Sequence, residues 1–152
     1  MPAALLNERF IGKQLYTLDD KGRITIPKHW RLKGEESEQW CLVPESRGNC
    51  LRLMDPTRCA RFIGQAEERF AADQAGLRLF RSFFVGAIEE VETDKQGRIA
   101  IPAQTRTEFS LEKEVWMRGT GDLIEIWNKQ RLEEHEEAQR ARYRELANIV
   151  GA

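Results

Sequence analysis

Ten residues, Leu18 to Pro27 (LDDKGRITIP), return as Thr93 to Pro102 (TDKQGRIAIP), and this repetition constrains the fold more than any other feature of the chain. At a constant offset of 75, Asp19 matches Asp94, Gly22 matches Gly97, Arg23 matches Arg98, Ile24 and Ile26 match Ile99 and Ile101, Pro27 matches Pro102, and Arg31 matches Arg106. Upstream, Phe10-Ile11-Gly12 answers Phe84-Val85-Gly86 at an offset of 74, so the second copy holds one extra residue, as a bulge or longer turn requires. Downstream, Leu51 to Asp55 answers Ile124 to Asn128 at an offset of 73. A unit of some forty-five residues is therefore duplicated, and a unit that small cannot bury both faces of its own strands. Two copies in one chain of 152 residues solve the problem by sharing a core.

Within each copy a β-favouring run meets an Asp, Lys and Gly turn and then an alternating run whose isoleucines face one way, which predicts a β-hairpin from Gln14–Leu18 and Arg23–Ile26. Gly22 and Gly97 supply positive φ, and Asp19 and Asp94 bond to turn N–H groups. Pro27 and Pro102 end their strands. A second strand pair follows in each copy, Trp40–Val43 with Leu51–Met54 and Val115–Arg118 with Leu123–Trp127. Asp55-Pro56 and Asn128 then read as helix starts. After the first copy, Cys59, Phe62, Ile63, Ala66 and Phe70 are spaced for one buried helical face, and Leu77, Phe80, Phe83 and Phe84 form a shorter amphipathic stretch. The expected architecture is an α+β domain of two pseudo-symmetric halves with helices outside. Its parts are repeat 1 at 10–58, connecting helices at 59–83, repeat 2 at 84–131 and a C-terminal helix at 132–152.

Charged residues make up 32% of the chain yet cancel to −1, so the distribution carries the information. Residues 1–34 hold seven basic side chains (Arg9, Lys13, Lys21, Arg23, Lys28, Arg31, Lys33) against three acidic ones, whereas residues 81–108 hold four against five. At matched positions Lys21 becomes Gln96, Lys28 becomes Ala103 and Lys33 becomes Glu108, while the residues that shape the turn persist. A polyanion needs a local basic surface rather than a basic whole, so the first copy is expected to grip DNA and the second to complete the fold.

The remaining residues argue against chemistry. Three cysteines without a CxxC pair and two histidines predict neither a disulfide framework nor a metal site. No nucleophile signature or phosphate loop is present, so no enzyme and no cofactor are expected. The opening MPAALLNERF lacks the basic start and long apolar run of a signal peptide, which suits a cytoplasmic protein without membrane contact. The four tryptophans read as packing residues, and the Glu and Arg residues around His135 as a solvated, salt-bridged helix.

The paired phrases LDDKGRITIPKHWR and TDKQGRIAIPAQTR, with the Phe-Phe-Val-Gly before the second and LEKEVWMRGTGDLIEIWNKQR after it, closely resemble the MraZ family of AbrB/SpoVT-like bacterial DNA-binding proteins over roughly residues 9–135. The resemblance implies a swapped-hairpin β-barrel built from the two halves and assembly into a homo-oligomeric ring. It also implies binding to short tandem direct repeats upstream of a cell-wall and cell-division operon, which places the protein at the nucleoid. Ile11 stands where family members usually carry an arginine, and Arg9 and Lys13 are the neighbours able to supply that charge.

On this reading the DNA-binding candidates are Lys13, Lys21, Arg23, Lys28 and Arg31, with Asp19, Gly22, Asp94, Gly97 and Arg98 as structural turn residues. Arg23 can reach phosphate or a guanine edge bidentately, or it can simply hold Asp19 as Arg98 would hold Asp94. The lysines and Arg31 fit backbone contacts better than base reading. The competing reading is an oligomeric protein-interaction or toxin-binding scaffold, favoured by the neutral total and the Phe-rich connector.

Overall fold

The computed structural model describes residues 9–31 and 37–152, so Lys33, part of the basic set of the first copy, lies outside the described residues. The first copy contributes strands β1 (Lys13–Thr17), β2 (Arg23–Thr25), β3 (Gln39–Pro44) and β4 (Leu51–Met54), followed by helices α1 (Pro56–Arg69) and α2 (Gln74–Phe84). The second contributes β5 (Glu89–Glu92), β6 (Arg98–Ala100), the short helix α3 (Ala103–Glu108), β7 (Glu114–Gly119), β8 (Ile124–Asn128) and helix α4 (Lys129–Val150). The helix starts follow from the sequence. Asp55 accepts from the Arg58 N–H at 2.8 Å with Pro56 at the first helical position, and Asn128 accepts from the Arg131 N–H at 2.9 Å.

Among the described residues six strands form one antiparallel sheet in the order β1-β7-β8-β4-β3-β5, and β2 and β6 form a separate two-stranded ladder. The order reads the same from either end once the copies are exchanged. β1 of the first copy pairs with β7 of the second, β5 of the second with β3 of the first, and the two last strands, β4 and β8, meet in the middle. The second strand pair of each copy forms as its sequence predicts, Leu42 opposite Leu53 and Met117 opposite Ile126.

The first pair does not. β1 and β2 flank a closed turn, in which Gly22 N–H bonds to Asp19 C=O at 2.9 Å and Asp19 N–H to Arg23 C=O at 3.0 Å, but the arms then separate. Each arm finds its partner in the other copy, with Ile24 opposite Ile99. Alternation specifies which face of a strand is buried but not which strand it meets, and both copies carry the same alternation. Crossing over satisfies the same backbone groups while directing Ile24, Ile26, Ile99 and Ile101, all at most 1% exposed, into one core. That core also holds Trp30 and Trp40, with the Phe10 ring 6.1 Å from the first and 5.9 Å from the second.

Two further sequence expectations are corrected. The likeness of Phe10-Ile11-Gly12 to Phe84-Val85-Gly86 does not extend to structure: Phe10 is buried and bridges to Gly121, whereas Phe84 ends α2. The amphipathic face of α2 is also only half covered. None of its residues is buried, Phe83 is 75% exposed, and with Phe62 and Phe70 of the α1 region it lines an apolar groove of about 800 Å³. Its apolar spacing matches a helix, and Phe84 reaches the buried cluster of Cys41, Val43 and Met54, but Leu79 and Phe83 stay exposed.

Leu53 is fully buried between Leu42 and Ile124 in the middle of the sheet. Leu53→Ala should therefore lower unfolding free energy by roughly 3 kcal/mol in urea titration, the usual cost of a leucine-sized cavity.

Candidate nucleic-acid interface

The surface of interest is built on the two turns. Asp19 Oδ1 accepts from the backbone N–H groups of Lys21 (2.9 Å) and Arg23 (2.8 Å), and its Oδ2 accepts from Arg23 Nε at 2.6 Å. Asp94 repeats the arrangement with the N–H groups of Gln96 and Arg98, both at 2.9 Å, and with Arg98 Nε at 2.8 Å. A carboxylate receiving two backbone bonds and a guanidinium is favoured in its charged form. The backbone bond from Arg23 is the largest cause of the lowered Asp19 pKa, and the bond from Arg98 plays that part for Asp94. Gly22 and Gly97, at φ +73° and +77°, close the turns.

Since the isoleucines of the ladder point inward, Arg23 and Thr25 of β2, and Arg98 and Ala100 of β6, point outward. Register places Arg23 opposite Ala100 and Thr25 opposite Arg98, with Arg98 Nη1 3.9 Å from Asp19 Oδ2. The two arginines thus come from different copies and share one face. Their side chains are 32% and 27% exposed, fixed at Nε by the aspartates.

The antiparallel ladder sends its turns to opposite ends. At the Gly22 end stand exposed Lys21 and exposed Asp20. At the other end the second-copy turn, with exposed Lys95, meets the segment that follows β2, where Lys28 and His29 are exposed on a short 3₁₀ turn and Arg31 follows. Ile26 N–H bonds to Gly97 C=O at 2.9 Å, which fixes that contact. Lys28, Arg31 and Lys95 therefore form a positive pole to which both copies contribute. Sequence reasoning passed over Lys95, although the constant offset matches it with Asp20, a charge reversal in favour of the second copy.

Lys13 stands elsewhere. It begins β1 four residues before Thr17, about 13 Å by strand rise, and its Nζ bonds Glu136 of α4 at 2.8 Å beside the Trp116 ring. Arg118 shares Glu136 at 3.2 Å, and these two cations outweigh burial in lowering the Glu136 pKa. Arg9 is also turned inward, donating to Trp30 C=O at 2.8 Å with Asp55 3.6 Å away, while Ile11 is 52% exposed.

Burial pushes the Cys41 thiol up to about 12 and raises Cys59 and Cys50 as well, so none is a thiolate at neutral pH. Among the described residues no cluster of three or more metal-ligating side chains occurs, and no helix is long and apolar enough to cross a membrane.

Comparison with known proteins yields one consistent result. The family model described as "MraZ protein, putative antitoxin-like" matches residues 10–81 and 83–148. A protein of Syntrophobacter fumaroxidans named transcriptional regulator MraZ is 33% identical over 141 residues, covering 93% of each chain. Proteins of the same name from Moorella thermoacetica (33% identity, 91% of this chain and 94% of that one) and Frankia alni (30%, 93% and 96%) are similar to it over the same extent.

The lowered aspartate pKa values set a pH dependence. A carboxylate depressed on folding adds stability that is fully present above its unfolded value, near 3.8, and is lost as pH falls through the lower folded value. Carboxyl NMR titration should place both Asp19 and Asp94 below 3.8, with the Lys21, Arg23, Gln96 and Arg98 amide signals shifting along the same curves.

Proposed function

The chain belongs to the MraZ family, and from that premise we propose that it is a sequence-specific DNA-binding transcription regulator, without enzymatic activity, that works through the outer face of the β2–β6 ladder. The observation carrying this reading is the convergence of Arg23 and Arg98 on one face flanked by Lys21, Lys28 and Lys95. Phosphate attraction needs that local density of donors, and the aspartates that hold each Nε aim the guanidinium while leaving its terminal nitrogens for phosphate or a guanine edge. Lys21, Lys28, Lys95 and Arg31 supply backbone contacts. Lys13, bonded to Glu136, joins them only when that pair opens.

The interleaved sheet and ladder are read as a swapped-hairpin barrel, and the protein as a homo-oligomer, in a ring, at the nucleoid. Half-covered α2 supports assembly, because an apolar face carrying Leu79 and Phe83 at 61% and 75% exposure is costly to leave in water. Assembly in turn suits short tandem direct repeats, since several weak ladders held together bind by avidity. The proposed targets are such repeats upstream of a cell-wall and cell-division operon that includes the protein's own gene. The same α2 face favours a second reading, an oligomeric protein-interaction or toxin-binding scaffold that makes no DNA contact.

A low-salt gel shift with the DNA upstream of the protein's own gene separates the two. Wild type should bind and Arg23→Ala should not, whereas an intact oligomer without DNA binding would favour the scaffold. Lys28→Ala with Lys95→Ala should reduce the slope of log affinity against log salt by about 0.9 for each phosphate contact removed. Light scattering of Phe83→Glu should show a smaller assembly than wild type.

A further inference from the structure

We infer that Arg31 and Arg106 are reciprocal positioning residues, each fixing the turn that the opposite half contributes to the ladder face. A Cβ built on Gly97 would overlap the Arg31 guanidinium, with Arg31 Cζ only 2.6 Å away. A Cβ on Gly22 would overlap Arg106 in the same manner, its Cδ at 2.9 Å. Positive φ alone does not explain this crowding. Gly12, Gly48 and Gly151 also have positive φ, and a Cβ at any of them would meet nothing within 4 Å. A Cβ on Gly76 or Gly119 would meet Asp73 or the Phe10 backbone, but overlap with an arginine belongs to the two ladder turns, and in each case the arginine comes from the other copy.

Both arginines are mounted on fixed parts of the fold. Arg106 lies on α3, and its Nε donates to Ile101 C=O at 3.0 Å. Ile101 N–H in turn bonds to Gly22 C=O at 2.9 Å, so arginine, strand end and turn form one connected unit. Arg31 follows the 3₁₀ turn anchored by Trp30, which is 1% exposed, and Ile26 N–H bonds to Gly97 C=O at 2.9 Å on the corresponding side. A planar guanidinium laid over a glycine leaves its backbone one arrangement, which a flexible ammonium stem does not do. Lys21 is thereby positioned by the second half and Lys95 by the first. The bearing on recognition rests on the DNA-binding reading above, whereas the contact itself does not.

Two double-mutant cycles, measured by urea unfolding, test the contact: Gly97→Ala with Arg31→Ala, and Gly22→Ala with Arg106→Ala. Removing the arginine frees space for the Cβ, so each glycine substitution should reduce the folding constant about tenfold less in the arginine-deleted background. Additive effects would overturn the inference. Gly97→Asn, which tolerates positive φ better, replaces the alanine variant if that one fails to fold. Amide exchange gives a second readout. Arg106→Ala should speed exchange at Lys21 and Arg23 and leave Gln96 and Arg98 unchanged, and Arg31→Ala should do the reverse; loosening of both turns together, or of neither, would refute it. Arg106→Lys should behave like Arg106→Ala, and full rescue by lysine would reduce the contact to charge alone. Arg106→Ala should weaken DNA binding several-fold with an unaltered salt slope, and a changed slope would overturn the positioning role of Arg106; Arg31, which also contacts phosphate in the reading above, is tested by its cycle and by exchange. Coupled cycles in a protein that binds no DNA would leave the arginine contact standing and remove the regulator reading.

Discussion

Three residues from each half, Arg23–Thr25 and Arg98–Ala100, pair across the molecule, and most of the remaining structure depends on that pairing. A three-residue strand cannot persist alone, because its few hydrogen bonds do not offset the entropy of ordering it. Two such strands lying on the isoleucines of both halves gain backbone partners and a buried face together. The crossing also commits the outer strands: once β2 and β6 have met, β1 and β5 are carried to the opposite half and complete its sheet at β7 and β3. The main core is shared, holding Leu42 and Leu53 of the first copy with Met117 and Ile126 of the second.

The same crossing decides the electrostatics. Had each hairpin closed on itself, Arg23 and Arg98 would sit on separate halves, and the basic first copy would face a nearly neutral second. Interleaving mixes them, so the group of cations Lys28, Arg31 and Lys95 has members from both halves. Asp19 and Asp94 offset the charge of the two arginines and leave the lysines to carry the excess. Each holds an arginine through Nε while accepting two N–H groups of its turn, so the guanidinium is held in one orientation. The structural duty of Arg23 and its proposed binding duty are therefore compatible. The Nε bond that stabilises the turn is the one that aims the remaining donors.

Short-range chemistry was readable in the chain. The turns at Gly22 and Gly97, the inward isoleucines, the ends of β2 and β6 ahead of Pro27 and Pro102, the helix starts at Asp55 and Asn128 and the packing role of Trp30 and Trp40 all follow from neighbours a few residues apart. The partner of each hairpin arm was not readable from the alternation, because two copies with the same pattern offer two equally good partners, and only the family resemblance implied an exchange. For the same reason Lys95 went unnoticed as a neighbour of Lys28, and Lys13 looked available although Glu136, far along the chain, holds it.

The sequence by itself determined that there are two halves, where each turns, which side chains face inward and which family the phrase resembles, since these depend on local geometry and on the repeated residues. Only the tertiary structure decided which strand meets which, that Arg31 and Arg106 cover the opposite glycines, and that the α2 face stays half open. Those outcomes depend on distances between residues remote in the chain, and pairwise burial, not local preference, selects among them.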